Sequence, residues 1–360
     1  MRSMIKLIHG PKEAGPDKNR PYITLMKKLL LVLLFACLAG TGSVRADDAP
    51  ATCAVHGVNL IDGLETRDPA SWQELQREAD TVPNRRGLLW KVDKDGVAPS
   101  YLFGTIHLSD PRVLTLPRAA IDAYRSASTV VIETTDVLDP KTFLRLKLEQ
   151  PDLLLFTDGS TLKSHIPPER RAEIEQKLAE RGIVLDAVAK MKPWVLTSLL
   201  ALPECERERK SEGEKSLDER LALDAQTEGR SVLGLESAAE QLEAMNRMPL
   251  DFHLRNLVAT VDYGDKIEDA METTTALYLK GEIGMIMPTL RKIVPDSLSE
   301  EDYELFLKYL ISDRNHVMAD RAVPIIDKGN AFIAVGALHL PGKEGIIELL
   351  RAKGYLVTPL

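Results

Sequence analysis

Two of the seven histidines in this 360-residue chain end the same four-residue motif at opposite ends of the sequence. In "SYLFGTIHLSD" (residues 100–110) and "AFIAVGALHLPG" (residues 331–342), an apolar, strand-like run breaks at Gly-x-x-His. His107 and His339 are therefore each expected just past the carboxyl end of a strand, where ligands bind in α/β sheets. Two carboxylates fall at comparable places: Glu133 ends the apolar run 129–133 and Glu236 follows the run 231–235. Two neutral imidazoles and a carboxylate are the usual ligands of a divalent transition metal that keeps open positions for water and substrate. Such an ion lowers the pKa of a bound water and polarises a carbonyl. His107, His339 and Glu133 are thus expected to be metal ligands. Glu236 is expected to act as general base, or to orient a ligand histidine through its other ring nitrogen. The glycine before each histidine is read as the residue that lets the backbone turn sharply.

Taken singly, each of these signals is weak. A histidine after a strand is often a hydrogen-bonded structural residue, and Glu236 directly precedes the capping serine Ser237. Recurrence of one motif at two distant strand ends is what argues for chemistry. No H-E-x-x-H or Cys-rich zinc pattern is present, so the class of metal is not readable by motif. His56, His165, His253 and His316 have no such surroundings and are left out of the site.

"SDRNH" (312–316) adds a separate clue. At 100° per residue, Phe306, Leu310 and Val317 form one buried stripe, flanked by Asp313 and Arg314, with Asn315 almost opposite. Arg314 is expected to reach the site and bind a substrate carboxylate or a developing oxyanion. The alternative is an Arg314 ion pair with Asp313 or a glutamate at the helix edge.

These residues need a scaffold that brings distant strands together. Residues 87–107 read as a hairpin turning at "DKDG", 117–128 as an amphipathic helix and 129–134 as a strand. Capping boxes at Ser216/Glu219 and Ser237/Glu240 start two helices on either side of strand 230–236. Residues 299–322 read as one long helix closed off by Pro324, followed by strand 331–336, a helix and a last strand. The alternation predicts an α/β fold with a central mixed β-sheet flanked by helices. We expect a single domain over 47–360, with a large helical insertion at about 140–225 between the strands. The two histidine motifs should meet in its one sheet.

Residues 1–46 stand apart. "MKKLLLVLLFACLAG" (26–40) is a lysine pair before an apolar core, and small residues at Val44 and Ala46 precede "DD". This reads as a signal peptide with its core at 26–46, and as an exported chain, periplasmic or secreted. "LFAC" fits a lipid-anchoring site poorly. No other stretch is long and apolar enough to span a membrane. Removing residues 1–46 takes away eight Lys/Arg and two Asp/Glu, so the net charge moves from −8 to −14. That argues against nucleic acid as a partner. The mature chain keeps Cys53 and Cys205, which in an exported protein most simply form a disulfide; two free thiols are the alternative.

"GTIH", "GALH", "VVIET", "VLGLES" and "DRN" together resemble the TraB/GumN/PrgY-type family, to which the TIKI proteases are related; the likeness runs from about residue 85 to 360. The resemblance implies a fold akin to the erythromycin-esterase/ChaN group. For the TIKI branch it implies metal-dependent peptidase activity served by two histidines and a glutamate, here His107, His339 and Glu133, with Arg314 and Asn315 as a polar pair. It thus includes Asn315, against the helix projection. The expectation is an exported hydrolase that uses Mn, Co or Zn to cleave a peptide or small amide. The alternative is a non-catalytic protein that sequesters a peptide or haem in the same cleft.

Overall fold

The computed structural model describes Cys53, residues 57–293 and residues 299–360. The signal peptide expected over residues 1–46 lies outside the described residues, as does His56. The fold is α/β, as the alternation of elements predicts. Its strands are β1 (Leu89–Asp93), β2 (Ser100–Thr105), β3 (Thr129–Ile132), β4 (Ser231–Gly234), β5 (Ala331–Gly336) and β6 (Leu356–Pro359). They form one mixed sheet in the order β4-β3-β5-β2-β1-β6. β2, β5, β3 and β4 run parallel, while β1 is antiparallel to both β2 and β6.

The central strand, β5, is apolar on both faces, as a parallel strand covered on both sides must be. Phe332, Ile333, Ala334 and Val335 are all buried, and Phe332 packs against Phe103 and Tyr124. β2 and β5 are direct neighbours, with Thr105 opposite Gly336. The two histidine motifs, 232 residues apart in sequence, therefore leave the sheet side by side.

Long helical crossovers carry the chain from β3 to β4 and from β4 to β5. Helices from both share a second apolar core, in which Leu162, Ile174, Leu178 and Leu196 of the first crossover meet Leu242 and Leu257 of the second. The reciprocal capping box of the helix Ala238–Asn246 forms as expected. The Glu240 N–H donates to Ser237 Oγ at 3.2 Å, and the Ser237 N–H donates to Glu240 Oε2 at 2.7 Å.

The segment read as one regular helix over 299–322 departs from that reading. It is α-helical over Glu300–Phe306, π-helical over Leu307–Ser312 and α-helical again over Asp313–Ile326. Pro324 lies inside the last turn and does not close it. A π-turn accommodates one extra residue, about 100° of helical phase. The projection across it therefore fails. Leu310 is buried, but Val317, assigned to the same stripe, is exposed, and Asn315 is fully buried.

Cys53 and Cys205 form a disulfide with Cα atoms 5.4 Å apart, and this pairing is compatible with export to an oxidising compartment. Among the described residues no helix is long and apolar enough to cross a membrane.

Candidate functional site

The carboxyl edge of β2, β5 and β3 gathers His107, His339 and Glu133. Both imidazole Nε2 atoms stand 3.8 Å from the same atom, Glu133 Oε1. The two nitrogens can thus be no more than twice that distance apart. His339 and Glu133 are buried, whereas the His107 side chain is 60% exposed and forms the open side of the site.

Each ring has its far nitrogen fixed. His107 Nδ1 donates to Asp218 Oδ2 at 2.8 Å, and Asp218 Oδ1 accepts from Thr105 Oγ1 at 2.5 Å. His339 Nδ1 meets Asn315 Oδ1 at 2.6 Å, while Asn315 Nδ2 donates to the Glu344 carbonyl at 2.7 Å. The second bond sets which end of the Asn315 amide faces the ring, so Nδ1 of His339 carries the proton. Each Nε2 therefore faces Glu133, the orientation that metal-binding histidines adopt, as a lone pair on His339 and, on His107, once that ring has released its proton.

The two glycines serve space rather than turning. Neither has a positive φ. A Cβ on Gly104 would meet Leu340 Cδ1 at 2.8 Å and Ala337 Cα at 3.1 Å. A Cβ on Gly336 would stand 3.0 Å from Glu133 Oε1, 3.4 Å from His339 Cδ2 and 3.6 Å from His107 Nε2. Gly336 thus leaves open the concavity that the three side chains line.

Glu133 is held by protein donors on both oxygens. Oε1 accepts from the Gly336 N–H at 2.7 Å, and Oε2 from Arg314 Nη2 at 2.8 Å and Gln241 Nε2 at 3.0 Å. Burial alone would raise its pKa, but the attraction of His339, His107 and Arg314 prevails and holds it at about 2. Near neutral pH His339 is uncharged, because burial pushes it down to about 3, so Arg314 and His107 are the charged partners that remain. The Asp218 carboxylate raises His107 to about 9 against the cost of burial. Because that ring is largely open to water, solvent screens part of the attraction.

Arg314 reaches the site, where two carboxylates of the chain bind it. Arg314 Nε donates to both Glu236 oxygens at 3.1 Å, and Nη2 reaches Glu236 Oε2 at 2.7 Å. Nη1 bonds the Leu310 carbonyl at 3.2 Å. The structure thus joins Arg314 to Glu133 and Glu236, and pairs Glu236 with Arg314 rather than with an imidazole. An ion pair of Arg314 with a glutamate, the alternative expectation, is what forms. Asp313 faces Lys308 and Arg247 instead. His165, His253 and His316 bond elsewhere.

Sequence reasoning missed Asp218, Thr105 and Gln241. Asp218 had a readable signal: it lies on the helix stripe of Leu221, Ala222 and Ala225, all buried. A carboxylate on an apolar stripe needs a partner.

The donor set fits a divalent ion in type and direction: two imidazole Nε2 atoms and an ionised carboxylate line one concavity, and an ion bound there would displace the Nε2 proton of His107. It is not closed around an ion position, and among the described residues no group of three or more His, Cys, Asp or Glu meets a coordination geometry. Ligands at about 2.0–2.2 Å from one ion stand roughly 3.0–3.5 Å apart, so the 3.8 Å spacings are a few tenths of an ångström wide.

The profile of the TraB/PrgY/gumN family matches residues 88–359. The chain is similar to Metalloprotease TIKI2 of Danio rerio, with 25% identity over 335 residues, 79% of this chain and 63% of that protein. Metalloprotease TIKI1 of Homo sapiens is 24% identical over 317 residues, 75% of this chain and 61% of its own length. The uncharacterized protein YbaP of Escherichia coli (strain K12) is 22% identical over 254 residues, 70% of this chain and 87% of that protein. The chain spans about three fifths of the length of the TIKI proteins it matches. No solved structure matches it. With most of its length accounted for by one family profile, this chain belongs to the TraB/PrgY/gumN family.

Proposed function

We propose that the chain is an exported, metal-dependent hydrolase of peptide or small amide bonds. The observation that carries this reading is the aim of His107 Nε2 and His339 Nε2 at one oxygen of Glu133, with each Nδ1 fixed from behind. His107, His339 and Glu133 would hold a divalent ion (Mn, Co or Zn), which supplies an acidified water and polarises the scissile carbonyl. Asp218 and Asn315 keep the two rings in register. Arg314 and Gln241 hold Glu133 ionised and oriented. Glu236 neutralises Arg314 and is not a free base in this arrangement. The similarity to the TIKI metalloproteases supports the same reaction class.

The rival reading, a peptide- or haem-sequestering protein without turnover, draws on the crowding of Glu133 by three protein donors, which weakens it as a ligand. The two readings separate in one experiment. Purified mature chain is incubated with a mixed peptide library in Mn, Co or Zn, with and without chelator, and products are read by mass spectrometry. We expect cleavage that chelator abolishes and that His339→Ala lacks. Binding without cleavage in all three metals contradicts the hydrolase and favours sequestration.

A further inference from the structure

The crossover helices border an open pocket of about 270 Å³, lined by none of the residues of the histidine site, between the segments 152–158, 192–194 and 246–253. That volume is just below the range of about 300–1,000 Å³ typical of drug-sized ligands, so its occupant is small. Its lining sorts by chemistry. Trp194, Phe156, Met248 and Leu250 give it an apolar surface. Lys192 is its one charged cation, since burial pushes the His253 ring down to about 4 and leaves it neutral.

The Lys192 ammonium has three N–H groups, and one of them donates to Asn246 Oδ1 at 2.8 Å. That oxygen is shared with the Trp194 indole N–H at 3.4 Å, and the Asn246 amide donates to the Leu153 carbonyl at 2.8 Å. The Asn246 oxygen is thus doubly engaged, and no carboxylate of the described residues stands within ion-pairing distance of Lys192. A half-buried ammonium with donors to spare, beside apolar walls, is suited to a carboxylate. Two exposed acids, Asp152 and Asp158, line the same cavity and are felt electrostatically at Lys192 without touching it. One cation and two acids around an apolar pocket match a ligand that carries both charges.

We propose that this cavity binds a free apolar α-amino acid as its zwitterion. The carboxylate would meet Lys192, the ammonium Asp152 and Asp158, and the side chain Trp194, Phe156 and Met248. A peptide end brings only one of the two charges, and so fits less well. The inference does not depend on the histidine site or on any metal.

The test is calorimetric titration of the disulfide-intact mature protein with L-phenylalanine and L-leucine. N-acetyl-L-phenylalanine and L-phenylalaninamide serve as probes that each lack one charge. We expect saturable binding of the amino acids, at least tenfold weaker binding of either blocked probe, and at least tenfold weaker binding to Lys192→Met. Lys192→Arg should retain most of the affinity, and circular dichroism confirms the fold of both variants. No saturable binding of either amino acid overturns the proposal, as does unchanged affinity in Lys192→Met. Equal binding of the N-acetyl probe also overturns it and would assign the cavity to a peptide carboxyl terminus.

Discussion

Asp218 and Asn315 decide which nitrogen of each imidazole faces Glu133, so a change at either should act on the site before it acts on the fold. Asp218→Asn removes the negative charge behind His107 at nearly constant shape. We expect a 10–100-fold loss of metal affinity in a competitive metal titration, with little change in unfolding temperature. Affinity equal to wild type would mean that Asp218 is merely structural. His107, Glu133 and His339 were legible in the sequence because an unusual motif recurs at strand ends. Asp218 was less so: its place on an apolar stripe is a signal, but an acid in the first turn of a capped helix also reads as a partner of the helix dipole. A second residue-scale prediction concerns His253, which is buried and donates Nε2–H to the Met245 carbonyl at 2.9 Å. Burial holds its pKa at about 4, against about 6.5 in an unfolded chain. Between those values the unfolded chain takes up a proton and the folded one does not. This contribution to stability is therefore full above about pH 6.5 and fades as pH falls, costing about 2–4 kcal/mol by pH 4. Urea midpoints at pH 7 and pH 4.5 should converge in His253→Gln relative to wild type; parallel losses in both would contradict the assignment.

At the scale of elements, β5 both fills the core and delivers the site. Phe332→Ala should cost about 3–5 kcal/mol of stability by urea unfolding, because the ring is buried between Phe103 and Tyr124. Gly336→Ala is the sharper probe. Its Cβ would intrude among Glu133, His339 and His107, with 3.0 Å to the nearest oxygen. Bound metal should drop at least tenfold while the unfolding temperature moves by only a few degrees; full metal occupancy would place the ion elsewhere. The strands themselves were legible from apolar runs and turn residues. The reason for the glycines was not, because a close approach by a distant segment leaves no local trace in sequence. The π-helical turn at Leu307–Ser312 was equally hidden. It rotates Asn315 into the core, where a regular helix would have pointed it away. The family resemblance, which ignores phase, includes Asn315, and the structure places it against His339 Nδ1.

For the whole molecule, the sheet order makes the account possible, since strands from both ends of the chain become neighbours. The disulfide adds a second long-range tie. Cys205 lies in the first turn of the helix Glu204–Ser211, whose buried Glu206 accepts from the Ser109 N–H at 2.9 Å, two residues after His107. Closing a loop across a sequence separation of 152 residues should contribute about 2–5 kcal/mol, seen as a lower urea midpoint for Cys205→Ser; an unchanged midpoint would show the tie to be idle. The pairing was legible from a count of two cysteines, whereas its link to the histidine loop needed the fold. The central claim concerns one pocket and one ion. Its most direct test is metal stoichiometry by mass spectrometry of the purified mature chain beside a His107→Ala/His339→Ala double variant. We predict close to one divalent ion per wild-type chain and almost none in the variant. Equal metal in the two proteins would contradict the account.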